Sequence, residues 1–401
     1  MLGVLASIVL FLIIICLIVT FHELGHFTVA RLFKTRVERF SVGFGKILLR
    51  RKDKNGVEWC LSALPLGGYV KFAGDENITS MMPSAEDMEA SRILISEREG
   101  AAAVNDYFHF KPLWQRFLII LAGPAANFVL AIAIFTLIIM IIGQTIMPTR
   151  ITNVQPGTPA AAAGFLPGDV LTRIDGRDIR DQGDQAKIMI VLRANSLTPF
   201  VVERAGQTLT LYATPQRAVI DPTGKDQTMT GGRLGVEFGG QIVQRRVNPW
   251  QALVLGNAQT WRALETNLTY VGRIFIGKEN GNQIGGPIGM TKAVGDMTVA
   301  IAHEKVPVYV KAIDLVLNSL NLMAMISIGV GFLNLLPVPA LDGGHLAFYA
   351  YQSVAKKPIP AGIQNAAFRI AIVLVLGLML FAAWNDINHI GLTHLFGGLF
   401  S

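Results

Sequence analysis

The sequence predicts an α-helical polytopic membrane protein with four transmembrane helices, a β region beside the membrane and a small α+β domain outside it. Three observations carry this reading. Of the 401 residues, 51% are hydrophobic and only 16% charged, the balance of an integral membrane protein. Apolar stretches at roughly 2–21, 116–143, 313–336 and 367–384 are close to the twenty or so residues that cross a bilayer as a helix. Between the second and third stretch, the composition changes to that of a soluble domain. The net charge of +7 could suggest nucleic acid, but the basic residues form no dense patch and many lie beside the spans. The positive-inside rule explains them more simply. The expected partner is therefore the lipid bilayer, with no nucleic acid.

The first span ends in His22-Glu23-Leu24-Gly25-His26. Residues four apart share one helix face, so both imidazoles can approach one metal ion while Glu23 sits a step round the cylinder. Two neutral histidines supply nitrogen ligands to a cation such as Zn2+, and the neighbouring carboxylate can take a proton from a metal-bound water. A chance match on a solvated helix is the plain alternative. The context argues against it, because ionisable groups at a membrane span cost about 2.5–3.5 kcal/mol each near its centre and need a function or a partner. A signal peptide fits poorly: Met1 to Ser7 contains no Lys or Arg and HELGH stands where a small-residue cleavage site would be.

Basic residues orient the chain. Arg31, Lys34, Arg36, Arg39, Lys46, Arg50, Arg51, Lys52 and Lys54 follow the first span, and none precedes it. The C-terminal end of that span is expected in the cytoplasm and the N-terminus outside. Residues 144–310 are then extracytoplasmic, and Lys356, Lys357 and Arg369 mark the next loop as cytoplasmic. Cys16 and Cys60 both fall short of the oxidising side, so no disulfide framework is expected.

Residues 37–72 alternate like two strands around Lys52-Asp53-Lys54-Asn55-Gly56, a hairpin signal. Such strands could offer an edge to an extended peptide, with Gly43 and Gly45 around Phe44 allowing close backbone approach, or they could form a plain hairpin. The polar segment 73–107 reads as a solvated loop with a helix from Ser84 to Glu99. The second span opens with Leu121-Ala122-Gly123-Pro124-Ala125-Ala126-Asn127. Small residues let helices approach, and Pro124 frees a carbonyl. Asn127 reads first as interhelical packing glue; it could stabilise an oxyanion if it faces the metal.

Residues 149–215 read as strands and short helices with Pro-Gly and Gly-Asp turns, including a helix around Gln182 to Arg193. PGTPAAAAGFLPGDVLTRIDG resembles the PDZ-domain signature of bacterial envelope proteases, and it occurs once. PDZ domains bind peptides by strand addition, so a peptide ligand is one possible partner; a steric filter is the alternative. Residues 250–276 place apolar side chains at helical spacing, consistent with an amphipathic helix on the outer leaflet. Ile284-Gly285-Gly286-Pro287-Ile288-Gly289 reads as a connector.

The third span ends in GFLNLLPVPALDGGH, residues 331–345. The topology puts Asp342 on the same side as His22 and His26, and two histidines with a carboxylate are an accepted zinc set. Pro337 and Pro339 break the helix so that the chain can bend toward the site. Asp342 is favoured over His345 as third ligand because it follows the bend directly; capping the next helix is its alternative role. Asn334, slightly deeper, is placed to position a substrate strand.

With HELGH, GPAANF and NLLPVPALDGGH in order and a PDZ-like insert between them, the chain resembles the bacterial site-2 proteases, intramembrane zinc metalloproteases of the regulator-of-sigma-E type (peptidase family M50). The resemblance covers nearly the full length. It implies one zinc per chain on His22, His26 and Asp342, with Glu23 as acid/base, and a substrate-engaging β region after the first span. Asn334, Asn127, Gly43, Phe44 and Gly45 are the candidates for positioning substrate. Expected substrates are single-span membrane proteins cut within or near their transmembrane segment, such as anti-sigma factors and remnant signal peptides, at the bacterial inner membrane. One departure is the single PDZ domain, where better-known members carry two.

The implied organisation is a first transmembrane helix with HExxH at 1–33, a cytoplasmic-side β region and polar loop at 34–111, and a second helix at 112–143. A periplasmic PDZ domain follows at 144–240, an interfacial segment at 241–310, a third helix at 311–345, and a loop, fourth helix and tail at 346–401. Two rival functions are a metal transporter, which would need a polar path that spans two and four do not supply, and a catalytically silent scaffold, in which Glu23 would be dispensable.

Overall fold

The computed structural model describes residues 2–74, 85–220, 229–277, 286–357 and 359–390. Parts of four expected features lie outside the described residues: 75–84 of the polar loop, 221–228 of the outer domain, Ile284 and Gly285 of the Gly-Pro run, and the 391–401 tail. The chain forms two compact units, one of Met1–Phe135, Gly256–Leu264 and Ile284–Ser401, the other of Thr136–Leu255 and Glu265–Gln283.

In the first unit, α1 (Leu2–Leu32) runs past the expected end of the span, so HELGH lies within the helix rather than at its terminus. Nothing in the sequence breaks it before Lys34, whose left-handed backbone (φ 54°) ends it. Lys111 donates from Nζ to the Phe33 carbonyl at 2.8 Å, a cation placed at the negative end of the helix dipole. The hairpin follows as β1 (Val37–Lys52) and β2 (Glu58–Phe72), paired antiparallel. Asp53 fixes its turn by accepting from the Asn55 and Val57 N–H groups at 2.8 and 3.0 Å. β1 bends at Gly43 and Gly45, both left-handed (φ 86° and 82°), a conformation that costs glycine little. Residues 39–42 of β1 pair with 68–71 of β2 and also with 58–61, while 58–62 pair in addition with 47–52, so the hairpin is folded on itself. The sheet packs on α1 through Val37, Phe40 and Phe72, with Leu24 and Phe27 of the helix against them.

The expected loop helix is α2 (Ala85–Glu99). Then α3 (Leu113–Ile142) carries Pro124 in its interior. It meets α1 backbone to backbone: a Cβ added at Gly25 would overlap the Ala122 carbonyl, the close approach that small residues permit.

The second unit contains β3 (Gln144–Ile146), β4 (Arg150–Val154), α4 (Pro159–Ala162), β5 (Val170–Ile174), β6 (Arg177–Asp178), α5 (Gly183–Val191), β7 (Thr198–Arg204), β8 (Gln207–Ala213), β9 (Gln216–Ile220), β10 (Met229–Arg233), β11 (Val236–Gly239) and β12 (Val243–Arg245). Its main sheet runs β11-β4-β5-β7-β8, with β6 beside β5; β9 pairs with β10, and β3 with β12. Alternation along β7 buries Phe200 and Val202, and a register shift in β5 between Leu171 and Arg173 lets Leu171 and Ile174 join them against Phe165 and Met189, each such side chain contributing about 1.5–3 kcal/mol. Asp169, 1% exposed, is held by Arg204 Nε at 2.7 Å and Nη2 at 2.8 Å and by the Leu166 N–H at 3.0 Å. The amphipathic stretch is α6 (Pro249–Phe275), opened by a capping box of Asn248 and Gln251. Arg177 pairs with Glu265 at 2.7 Å, and Arg273 donates to the Ala194 carbonyl at 2.8 Å. Trp250, Val254, Trp261, Leu268 and Phe275 stay exposed.

In the first unit, the run expected to be a connector opens a helix, α7 (Pro287–His303). It packs on α1 with Met290 beside the Ile14 and Ile18 cluster. Asp386 accepts from the Gly286 and Gly289 N–H groups at 3.0 and 2.8 Å, satisfying donors that the start of a helix leaves free. α8 (Val308–Leu335) is followed by the double-proline break, α9 (Asp342–Ala355) and α10 (Ala361–Ile390). Much of the loop expected after residue 345 is therefore helix, its Leu346 and Tyr349 buried. Helices at Leu5–Leu32, Leu113–Ile142, Val308–Leu335 and Gly362–Trp384 are long and apolar enough to cross a membrane, and the protein is a multi-pass membrane protein.

Burial alone would raise the pKa of Asp169, but the hydrogen bonds from Arg204 and Leu166 outweigh it and hold the carboxyl below its ordinary range. A depressed folded pKa contributes stability above the unfolded value of about 3.9, which fades as pH falls through the folded value. The Asp169→Asn variant should melt at lower temperature than wild type at pH 7, and the gap should narrow below about pH 4. Melting curves of the full chain in detergent between pH 3 and 7 check this; a gap that stays constant across that range contradicts it.

Candidate metal centre

The site is assembled from α1, α3, β2 and the start of α9. His22 and His26, one turn apart on α1, set their rings edge to face with centroids 4.8 Å apart. Their Nε2 atoms lie 3.1 Å from each other. The tight turn between α8 and α9 brings in Asp342: a Cβ on Gly343 would strike the Leu336 carbonyl, and one on Gly344 the backbone of Pro339, so only glycines allow the chain to fold back this closely. Asp342 is the first residue of α9 rather than its cap, which is Leu341. Its Oδ2 stands 3.1 Å from His22 Nε2 and 3.6 Å from His26 Nε2.

These donor atoms fit a metal ion. Three ligand atoms arranged tetrahedrally about one zinc at 2.0–2.2 Å lie about 3.3–3.6 Å apart, close to the spacings here. Asp342 Oδ2 is buried and makes no hydrogen bond of acceptable geometry, although a ring nitrogen is near; a buried carboxylate oxygen without a donor is costly unless a cation completes it. His26 Nδ1 sits 2.8 Å from the Ile119 carbonyl. A carbonyl only accepts, so that nitrogen carries the proton and Nε2 keeps its lone pair for a ligand. Among the described residues, His22, His26 and Asp342 form the one group of this kind.

Glu23 accepts from the backbone N–H of Val70 at 3.1 Å, so β2 orients the carboxylate. This contact was invisible in the sequence because it involves a main-chain atom whose direction depends on strand register. A cavity of about 340 Å³ opens over the site, lined by His22, Glu23, Phe44, Tyr69, Asn334 and His345 among others. Phe44 stacks on Tyr69 with centroids 6.1 Å apart. Gly43 and Gly45 do not line the cavity; they bend the strand on either side of Phe44. Asn127 lies against His22 Nδ1, its Nδ2 atom 3.2 Å away, and not on the cavity wall. Gly123 was read only as a packing residue. A Cβ there would run into both imidazoles, so its missing side chain is the space the rings occupy.

The family model of peptidase family M50 matches residues 10–378. Metalloprotease MmpA of Caulobacter vibrioides is 44% identical over 403 residues, covering 100% of both chains. A Rhizobium meliloti relative with zinc metalloprotease in its name is 37% identical over 383 residues, 94% of this chain and 95% of its own. Regulator of sigma-E protease RseP of Escherichia coli is 27% identical over 484 residues, covering 97% of this chain and 100% of its own.

Gly123→Ala should force the two imidazoles apart and lower zinc affinity at least about tenfold. Zinc content after dialysis against a buffered chelator reads this out, and wild-type retention would contradict it.

Proposed function

We propose, from the premise that this chain belongs to peptidase family M50 and is a zinc metalloprotease, that it cuts single-span membrane proteins within or near their transmembrane segment. His22, His26 and Asp342 are the metal ligands in this reading and Glu23 the general acid/base. The observation that carries it is the convergence of those three donor atoms within 4.8 Å of one another, the two histidines on a helix long and apolar enough to span a bilayer, with the Glu23 carboxylate on the same cavity.

His22, His26 and Asp342 would hold a zinc ion, which when bound would supply Lewis acidity toward water and the scissile carbonyl. Glu23 then has two tasks. Its carboxylate takes a proton from the attacking water, and the resulting acid delivers that proton to the leaving amine. The Val70 N–H keeps one carboxylate oxygen fixed, leaving the other for the proton. A substrate helix must unwind before this can happen, because a helical carbonyl is already hydrogen-bonded. Among the described residues, strand 68–72 pairs with β1 alone, and its other side supports pairing with the unwound segment. Phe44, with Gly43 and Gly45 setting its bend, and Asn334 are suited to hold that segment.

Residues 144–240 of the second unit are best read as a single PDZ domain. Strands with two helices, α4 following the Pro-Gly loop and α5 beside the sheet, fit the signature seen in the sequence, and a peptide added at the sheet edge is the ligand this predicts. Exposed Trp250, Val254, Trp261 and Phe275 along α6 fit an interfacial helix on the outer leaflet. The basic residues after α1 support a cytoplasmic position for the metal-binding end of that helix, with the N-terminus and the PDZ domain outside the inner membrane. Membrane-anchored anti-sigma factors, from which the cut would release a cytoplasmic fragment, and remnant signal peptides are the substrate classes that this topology suits.

Purified wild type in detergent should cleave single-span test substrates with about one zinc per chain, whereas Glu23→Gln should keep the zinc and lose cleavage by 100-fold or more. Equal cleavage by the variant would remove Glu23 from the chemistry, and a wild type without zinc would remove the ligand assignment.

A further inference from the structure

Asn127 is fully buried on α3, and its surroundings leave it little freedom. Its backbone carbonyl accepts from Ser327 Oγ of α8 at 2.8 Å. A Cβ at Gly331, one turn further along α8, would stand 3.2 Å from the Asn127 Cβ. With backbone and Cβ pinned, the remaining choice is which way round the amide sits. As placed, Nδ2 is 3.2 Å from His22 Nδ1 and Oδ1 is buried with no hydrogen-bond partner among the described residues.

The two orientations of an amide occupy the same volume, and hydrogen bonding has to decide between them. Counting bonds does not, because turning the amide exchanges one unpaired amide atom for another. The metal does decide. If Nδ2 donates to His22 Nδ1, the neutral ring must carry its proton on Nε2, the atom 3.1 Å from both His26 Nε2 and Asp342 Oδ2. A proton and a metal ion cannot share that lone pair. With Oδ1 turned to the ring, Nδ1–H donates to it and Nε2 is free. That is the state His26 already has through the Ile119 carbonyl.

We infer that Asn127 is a positioning residue for the metal centre, its side-chain oxygen accepting from His22 Nδ1–H and so setting the tautomer and ring orientation in which His22 binds zinc. Both histidines are then oriented by oxygen acceptors on one helix, a main-chain carbonyl for His26 and a side-chain carbonyl for His22. Metal-binding imidazoles take such partners on their second nitrogen, and losing one weakens binding by about 10- to 100-fold. The inference rests on the reading of His22, His26 and Asp342 as ligands.

The test is zinc affinity of the full chain in detergent, measured by competition with a chelator, with His22→Ala as control. Asn127→Asp keeps an acceptor and lacks any donor; Asn127→Leu keeps the approximate size and lacks both. Melting curves monitor folding. The expected result is zinc binding by Asn127→Asp at least as tight as wild type, and a 10- to 100-fold weakening in Asn127→Leu. Wild-type affinity in a folded Asn127→Leu overturns the inference. So does equal weakening in both variants, since the amide nitrogen would then be the group in use. Should Asn127→Leu fail to fold, Asn127→Asp alone decides: retained zinc supports the inference and a tenfold loss overturns it. If wild type binds no zinc, or His22→Ala binds it as wild type does, the ligand assignment itself has failed, a result distinct from any of these.

Discussion

Hydrocarbon offers no hydrogen bonds, so a helix that crosses it must find protein partners for each polar group it carries. α1 carries two imidazoles and a carboxylate within one stretch of five residues, and the rest of the membrane unit is arranged to meet that demand. α3 supplies oxygen and amide groups to the histidines, β2 supplies a main-chain donor to Glu23, and the start of α9 supplies a carboxylate. Each partner comes from a different part of the chain. The site therefore exists only when the unit is folded.

Close approach is what makes those partners reach. Glycines at 25 and 123 let α1 and α3 touch with no side chain between them, and the same absence at 123 leaves room for the rings. Pro124 withholds the helical N–H that would bond the Ile120 carbonyl, next to the Ile119 carbonyl that meets His26. Glycines at 343 and 344 serve the loop before α9 in the same way. Small residues and prolines, costly inside a helix in water, are here the means of placing polar atoms where apolar side chains would otherwise stand.

Glu23 shows how the β hairpin contributes beyond packing. Its N–H donor belongs to residues 68–72 of β2, which among the described residues pair only with β1, so the side that orients the Glu23 carboxylate is the edge to which the proposal above assigns an extended substrate segment. The bend at Gly43 and Gly45 carries Phe44 to the cavity wall, which couples the twist of the hairpin to the shape of the space above His22, His26 and Asp342. A sheet in a different register would lose both relations together, since a shift of one residue reverses which groups point to the cavity.

The sequence by itself determined the spans, the hairpin turn, the strand and helix character of residues 149–215 in the second unit, and the pairing of His22 with His26. All of these rest on local periodicity, apolar run length and turn residues, which are legible one segment at a time. It also pointed to Asp342 through the proline break and the topology. Tertiary structure decided the rest. α7 was hidden because its apolar residues face a neighbouring helix and its glycines read as a break, while its start is satisfied by Asp386, nearly a hundred residues away. Gly123 as the floor of the site, Val70 as the partner of Glu23, and Asn127 against His22 rather than against substrate are facts about atoms that only folding brings within 3–4 Å. Spacing along a chain fixes which residues share a helix face; it carries no information about which face of another element will lie opposite, and that is what the closely packed interior of the membrane unit supplies.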